Sequence, residues 1–387
     1  MNQVARRLAV GLAGFCAFLN LYSPQALLPS LANEFNVGAT GISMTMTAST
    51  LAVALIAPFT GVVADVLGRK RVIVWSMVAL IVPTLMLSIA PSVEWMIVGR
   101  FVQGLMLPPI FAVTIAYIGE EWPASEATGV TGLYTSGASL GGFSGRFISG
   151  FMTDLVGWRG AFLAVAAVTV VCAITVALML PRERGFVRSE NIAASMRQML
   201  LHMRNPQLLA TYAIGFGVLF NFIATFTYVT FLLAAPPYSL SATLLGVIFV
   251  TYLTGVFLTP WVGRVVARFG RRHFVIGVIA LWIGGVLLTL LPSLAAIIAG
   301  LAICAGCGLL CQAVSTGYVT ATASEGRSSA VGLYFSSFYL GGSLGAVLPG
   351  LTWETLGWPM VIAELVVMLA VMAGVVALTW QPSPARS

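Results

Sequence analysis

Charge is what this chain has least of. Asp, Glu, Lys and Arg make up 8% of its 387 residues, against about 25% in an ordinary soluble domain. A soluble fold is therefore excluded, because 59% apolar content leaves too few polar side chains to cover a water-facing surface. Histidine is scarcer still: the two residues, His202 and His273, both lie outside the apolar runs. That leaves no imidazole in the interior for a metal centre, or to activate a nucleophile for membrane-embedded hydrolysis. The five cysteines, Cys16, Cys172, Cys304, Cys307 and Cys311, all fall inside apolar runs. Cys304, Cys307 and Cys311 share one helical face, which fits either a metal site or small residues at a helix contact; without histidine the contact is the reading followed, and no metal is expected. A G-x-x-x-x-G-K-[ST] loop is absent, so ATP is not the direct energy source. No enzyme activity and no cofactor are expected.

What the chain has is length without polarity. Predominantly apolar runs occupy residues near 8–31, 41–66, 72–90, 94–118, 127–151, 159–180, 208–234, 241–266, 274–291, 294–320, 330–352 and 358–380. About 20 such residues cross a hydrocarbon core of about 30 Å. Backbone N–H and C=O groups cannot go unpaired in lipid, so these runs are helices and the chain is an all-α membrane protein with twelve transmembrane helices. The formal net charge of +7 suggests nucleic acid only until the positions are read. Arg6, Arg7, Arg69, Lys70, Arg71, Arg182, Arg184, Arg188, Arg197, Arg204, Arg264, Arg268, Arg271, Arg272, Arg327 and Arg386 all fall on one side if every run crosses, and the opposite loops hold only Arg159. This is the positive-inside pattern: it predicts a multi-pass protein of the cell inner (plasma) membrane, both termini cytoplasmic, with no nucleic acid partner. The first run ends in Tyr22, Pro24 and Gln25 without a small-residue cleavage site and reads as a retained span.

The second half repeats the first. GLYTSGASLGGFSGRFISGFMTDLVGW at 132–158 recurs as GLYFSSFYLGGSLGAVLPGLTWETLGW at 332–358, and PFTGVVADVLGRKR at 58–71 recurs as PWVGRVVARFGRRH at 260–273. Six spans per copy make the copies parallel. The expected organisation is two pseudo-symmetric six-helix bundles, residues 1–181 and 207–387, joined by a cytoplasmic linker at 182–206. Within the linker Ile192, Met196, Met199, Leu200 and Met203 form one apolar stripe, as in a helix lying along a membrane surface. Two such halves around a midplane site is an arrangement of secondary transporters.

Three motifs carry a family resemblance. The loop after span 2 holds Gly61, Asp65, Gly68, Arg69 and Lys70. Span 4 holds Arg100, Gln103 and Gly104, an R-x-x-Q-G pattern. Span 5 carries Gly137, Gly141 and Gly145 at four-residue spacing with Gly142 beside them, a smooth stripe for close helix approach, and its copy keeps Gly341, Gly342 and Gly345. Together these resemble the major facilitator superfamily, closest to its twelve-span drug and metabolite exporter branch of proton antiporters. The resemblance implies the major facilitator fold, alternating access, and a conformational latch at Gly61, Asp65, Gly68, Arg69 and Lys70, with Glu120 or Glu121 as ionic partner. The chain departs from the family pattern at Val66, where the loop has a basic residue, at Gly142, where the stripe has proline, and at Arg146, where it has glycine. Ala267 stands in the second copy where the aspartate would be.

Arg146 is the informative departure, because its copy in span 11 is Ala346. An arginine at the centre of a span costs about 2.5–3.5 kcal/mol on insertion scales, so it faces protein or a wet cavity. Arg100 and Arg146 are accompanied inside spans by one clear acid, Glu364. Two cations and one acid favour an anionic or neutral polar solute over a large organic cation. Candidate substrate-binding or coupling residues are Arg100, Arg146, Gln103, Asn20, Tyr22, Asn221, Tyr228 and Glu364. The expected function is proton-coupled efflux of a small organic anion or amphiphilic metabolite or drug by a monomer, its partners being the small-molecule substrate, protons and the lipid bilayer. The alternatives are proton-coupled uptake of a small organic solute and, further off, lipid transport.

Overall fold

A computed structural model describes residues 3–183, 192–323 and 326–380; the side chain of Asp65 and residues 184–191 of the linker lie outside the described set. Among the described residues every regular element is helical. The chain runs through α1 (Gln3–Tyr22), α2 (Leu28–Phe35), α3 (Ala39–Ile56), α4 (Thr60–Leu67), α5 (Arg69–Ser88), α6 (Val93–Glu121) and α7 (Ala124–Met179). After α8 (Ile192–His202) it continues through α9 (Pro206–Ala234), α10 (Ala242–Ile248), α11 (Leu253–Leu258), α12 (Val262–Phe269), α13 (Arg271–Leu288), α14 (Leu294–Thr322), α15 (Arg327–Leu356) and α16 (Trp358–Thr379).

Ten of the described helical segments are long and apolar enough to cross a membrane. One of them bends at Gly157, whose φ of 80° lets α7 turn, and so contains two of the expected crossings. The remaining crossing, expected at 241–266, is the broken run α10–α12. Its second break has a local cause. Pro260 and its counterpart Pro58 each lack a backbone N–H, and each sits in a 3₁₀ turn, at Thr259–Trp261 and Ala57–Phe59. Ser23–Leu27 is another such turn, with Pro24 at its start. Gly68 and Gly270, at φ 91° and 78°, reverse the chain at equivalent points between α4 and α5 and between α12 and α13. A side chain at either would meet its own backbone.

The chain divides into two compact units: residues 1–192 with 233–249, and residues 193–232 with 250–387. The glycine stripe explains how each is built. In the first unit, Gly137, Gly141 and Gly145 of α7 lie against the carbonyls of Gly11, Phe15 and Leu19 of α1, so closely that a Cβ at any of the three would overlap the oxygen. In the second unit, Gly341 and Gly345 of α15 lie in the same way against Phe216 and Phe220 of α9. Position 337 replaces the first glycine with serine, and Ser337 Oγ donates to the Tyr212 carbonyl at 2.9 Å. Gly14 against Tyr134 and Gly215 against Tyr334 complete the correspondence. Without a hydrophobic driving force between helices in lipid, this backbone approach supplies the dispersion contact that joins them.

Gly141→Ala is expected to lower stability by about 1–3 kcal/mol through overpacking, read as a thermal shift in detergent. Gly129→Ala, where nothing lies within 4 Å of the added carbon, is the control: it does not lower the melting temperature and raises it modestly, because alanine is the better helix former.

Candidate functional site

Pro24 begins the construction. Having no N–H, it leaves the Asn20 carbonyl at the end of α1 without its helical donor. Arg100, fully buried on α6, supplies one: Nη1 donates to Asn20 O at 2.9 Å and Nη2 to Leu21 O at 2.5 Å. Its other N–H groups donate to Gln103 Oε1 at 2.6 Å, Ser49 Oγ at 2.7 Å and Thr45 O at 3.3 Å. All five guanidinium donors are thereby used, on acceptors that carry no formal charge. Two of them are carbonyls at a helix C-terminus, whose partial negative charge favours a cation.

Gln103 Nε2 donates to Thr84 Oγ1 at 2.8 Å, Thr84 Oγ1 lies 2.9 Å from Asn20 Oδ1, and Asn20 Nδ2 donates to Thr169 Oγ1 at 2.9 Å. Gly104 completes the R-x-x-Q-G pattern by meeting the Ser49 carbonyl so closely that a Cβ would not fit. Arg100, Gln103 and Asn20 thus belong to one buried network that fastens the broken end of α1 to α3, α5 and α6. Thr84, Ser49 and Thr169 belong to it as well and carry no motif that would single them out.

The stretch that Arg100 holds presents Tyr22 and Gln25 to Arg146. Arg146 is fully buried on α7, one residue beyond Gly145. Its Nε and Nη2 donate to Gln25 Oε1 at 2.8 and 2.6 Å, and Nη1 donates to Gly142 O at 2.7 Å. The guanidinium carbon lies 4.2 Å from the ring centroid of Tyr22 and 4.4 Å from that of Phe249, within cation–π range of both. Gly142 faces Arg146 Nη1 and the Tyr22 ring, and its lack of a side chain leaves the arginine space beside them. Arg146 and Tyr22 therefore come together, with Gln25 and Phe249 added. Gln25, next to Pro24, has only that position as a sequence signal, and Phe249 has none.

Phe249 follows α10, which lies along α7 in the first unit. Gly150 meets the Ala242 carbonyl and Gly246 meets the backbone of Arg146 and Phe147. Asp154 Oδ2 accepts the Thr243 N–H at 2.8 Å, at the N-terminus of α10 where a carboxylate is favoured. Asp154 therefore turns to Thr243, away from Arg146.

At the basic end of the first unit, Arg69 grips Glu120 with Nε at 3.2 Å and Nη2 at 2.8 Å, a two-point contact. Arg6 reaches Glu121 at 3.4 Å. Glu183 Oε2 accepts the Lys70 N–H at 3.3 Å, and its Oε1 lies over Gly68. Gly61 has open space around it.

Asn221 and Tyr228 in the second unit bond to different partners. Asn221 Nδ2 donates to Gly217 O at 2.8 Å, as Asn20 does to Cys16 O at 2.9 Å, but no counterpart of Arg100 accompanies it. Tyr228 OH donates to Ala346 O at 2.5 Å, so the copy of the Arg146 position is closed by a phenol. Glu364 is half-buried on α16. Cys304, Cys307 and Cys311 are buried free thiols, and no metal-holding group of His, Cys, Asp or Glu occurs among the described residues.

Arg100→Met is expected to orphan several buried acceptors at about 1–3 kcal/mol each, and so to abolish the cooperative melt of the purified protein. The Asp154 contact carries a pH sign. Burial acts to raise this carboxyl, but the hydroxyls and backbone N–H groups of Thr243 and Ser241–Ala242 outweigh it and hold it below the ordinary 3.8. Its stabilisation is therefore present above the unfolded value and lost as pH falls through the folded one. Melting temperature followed through that acid range should fall in the wild type and fall less in Asp154→Asn.

The family model of the Major Facilitator Superfamily matches residues 10–246 and 214–387. The inner membrane transport protein YnfM of Escherichia coli is 32% identical over 373 residues, covering 94% of this chain and 88% of its own. The MFS-type transporter YybF of Bacillus subtilis is 29% identical over 360 residues, covering 93% and 89%. Among solved structures, the nucleoside transporter NupG (D323A mutant) superposes with a TM-score of 0.78 at 15% identity, over 97% of this chain and 100% of that one; this likeness is one of fold. With ten helices among the described residues long and apolar enough to cross a membrane, a repeated sequence with a glycine stripe in each copy and these matches along its length, the chain belongs to the Major Facilitator Superfamily and is a membrane transporter.

Proposed function

We propose that this transporter exports a small organic anion, or an amphiphilic metabolite or drug bearing an acidic group, in exchange for protons. The observation that carries the reading is Arg146: a buried guanidinium in a span, flanked by the rings of Tyr22 and Phe249 and held by the carboxamide of Gln25. A carboxamide is a weaker acceptor for a guanidinium than a carboxylate. A carboxylate-bearing solute entering between the rings would take over the N–H groups that Gln25 now receives, and the exchange is favourable because it pairs opposite charges. The rings supply flat apolar surface for the rest of the solute, as in sites built from a few polar groups within an apolar lining. Arg100, with all five donors engaged, is assigned the positioning role for Tyr22 and Gln25, and Glu364 is assigned the coupling proton. The inner-membrane orientation with both termini cytoplasmic, the monomeric state, and rocking of the halves 1–181 and 207–387, with the loop at Gly61, Asp65, Gly68, Arg69 and Lys70 as the conformational latch, complete the proposal.

The test uses proteoliposomes, an imposed pH gradient and a panel of labelled small carboxylates. Arg146→Ala should weaken transport by roughly ten- to a hundredfold, the worth of a hydrogen bond to a charged group, and Arg146→Lys by less. Glu364→Gln should remove the response to the gradient. Transport indifferent to the gradient and to Arg146→Ala would overturn the reading; solute moving in the same direction as protons would overturn export in favour of uptake.

A further inference from the structure

The two halves treat the same basic loop differently. In the first, Arg69 at the turn after α4 pairs with Glu120, and Arg6 and Arg7 of α1 pair with Glu121 and Glu126. In the second, Arg264, Arg268, Arg271 and Arg272 crowd the equivalent turn, while residues 207–387 contain three acids, Glu325, Glu354 and Glu364. Among the described residues none of these four arginines forms an ion pair. Their contacts are aromatic faces: Arg264 over Trp261 at 5.1 Å, Arg268 over Phe269 at 5.4 Å and Arg271 over Tyr318 at 5.9 Å. None of α12's eight residues is buried, although Val262, Val265, Val266 and Phe269 alternate with Arg264 and Arg268 in an amphipathic pattern.

Beside this helix a shallow groove of about 290 Å³ runs down α13, lined by Phe269, His273, Phe274, Gly277, Val278 and Leu281. Phe269 and Leu281 are 57% and 56% exposed, and a Cβ at Gly277 would meet nothing within 4 Å. The groove is apolar along α13, and its polar end, His273, stands in the same short stretch as the four arginines. A molecule complementary to it has an anionic head and a hydrocarbon tail. We propose that this groove is a binding site for an anionic phospholipid, its phosphate met by Arg268, Arg272 and His273 and one acyl chain lying over Gly277. The lipid then supplies to the second half the counter-charge that Glu120, Glu121 and Glu126 supply to the first, a use of duplicated structure in which the membrane takes the place of a carboxylate.

The full-length protein, purified in detergent, is offered dioleoyl-phosphatidylglycerol or dioleoyl-phosphatidylcholine at equal concentration, and retained lipid is counted by native mass spectrometry. Two arginines at an anionic headgroup should favour phosphatidylglycerol by about thirtyfold. Arg268→Ala with Arg272→Ala should remove that preference. Gly277→Leu, whose Cβ meets nothing within 4 Å and whose side chain fills the groove, should cut retention by about fourfold for each methylene displaced. Equal retention of the two lipids by the wild type would overturn the proposal. So would a Gly277→Leu protein that keeps phosphatidylglycerol as the wild type does, since charge would then act without a seat for the chain.

Discussion

The approach of α1 to α7 over a line of missing side chains is the contact on which the rest depends. Lipid offers helices no hydrophobic reward for associating, so cohesion must come from packing density and from polar groups with nowhere else to pair. Gly137, Gly141 and Gly145 let carbonyl oxygens of α1 sit where Cβ atoms would be. The next residue along, Arg146, then meets the ring of Tyr22 and the carboxamide of Gln25 on the approaching chain. Were α1 held further off by one methyl group per turn, those groups would lie beyond hydrogen-bond reach. The stripe therefore places the arginine's partners as well as packing the bundle.

Arg100 works at the other margin of the same segment. A proline in the first span frees the Asn20 carbonyl, which lipid cannot satisfy, and a fully engaged guanidinium takes it together with the neighbouring Leu21 carbonyl. The two buried arginines thus have separate physical characters. Arg100 meets five neutral acceptors in a network of Gln103, Thr84, Asn20 and Ser49, which gives it the character of a structural cation. Arg146 is flanked by two aromatic faces and shares one carboxamide oxygen between two of its N–H groups, an arrangement in which a better acceptor has something to gain.

Comparison of the halves separates what packing demands from what was added. The glycine-over-carbonyl contacts, the left-handed glycines at the loop turns and the asparagine bonded back to the carbonyl four residues earlier occur in both copies. Arg100, Arg146 and the carboxylates around Arg69 occur in one. In the other, Tyr228 closes Ala346 and the arginines of 264–272 lean on aromatic rings. Symmetry accounts for the scaffold, and its breaches are where specific chemistry is to be sought.

Much of this was readable in the chain alone. Apolar run length compels helices because lipid leaves backbone groups no other partner. The duplication is visible because packing preserved its glycines, and an uncopied arginine within a span stands out because burying it is costly. The break at Pro260 and the turns at Gly68, Gly157 and Gly270 follow from proline and glycine chemistry, although the chain alone reads 241–266 as one continuous span. What tertiary structure alone decided was pairing. Composition could not tell that Arg100 would be used up on neutral acceptors, among them the carbonyl freed by Pro24. Nor could it tell that Gln25 and Phe249, more than 100 residues from Arg146 on either side, would close around it, or that Asp154 would turn to Thr243. Those outcomes depend on which helix faces meet and at what separation. A sequence records the smoothness that permits such an approach, while the partner is chosen only when the helices pack.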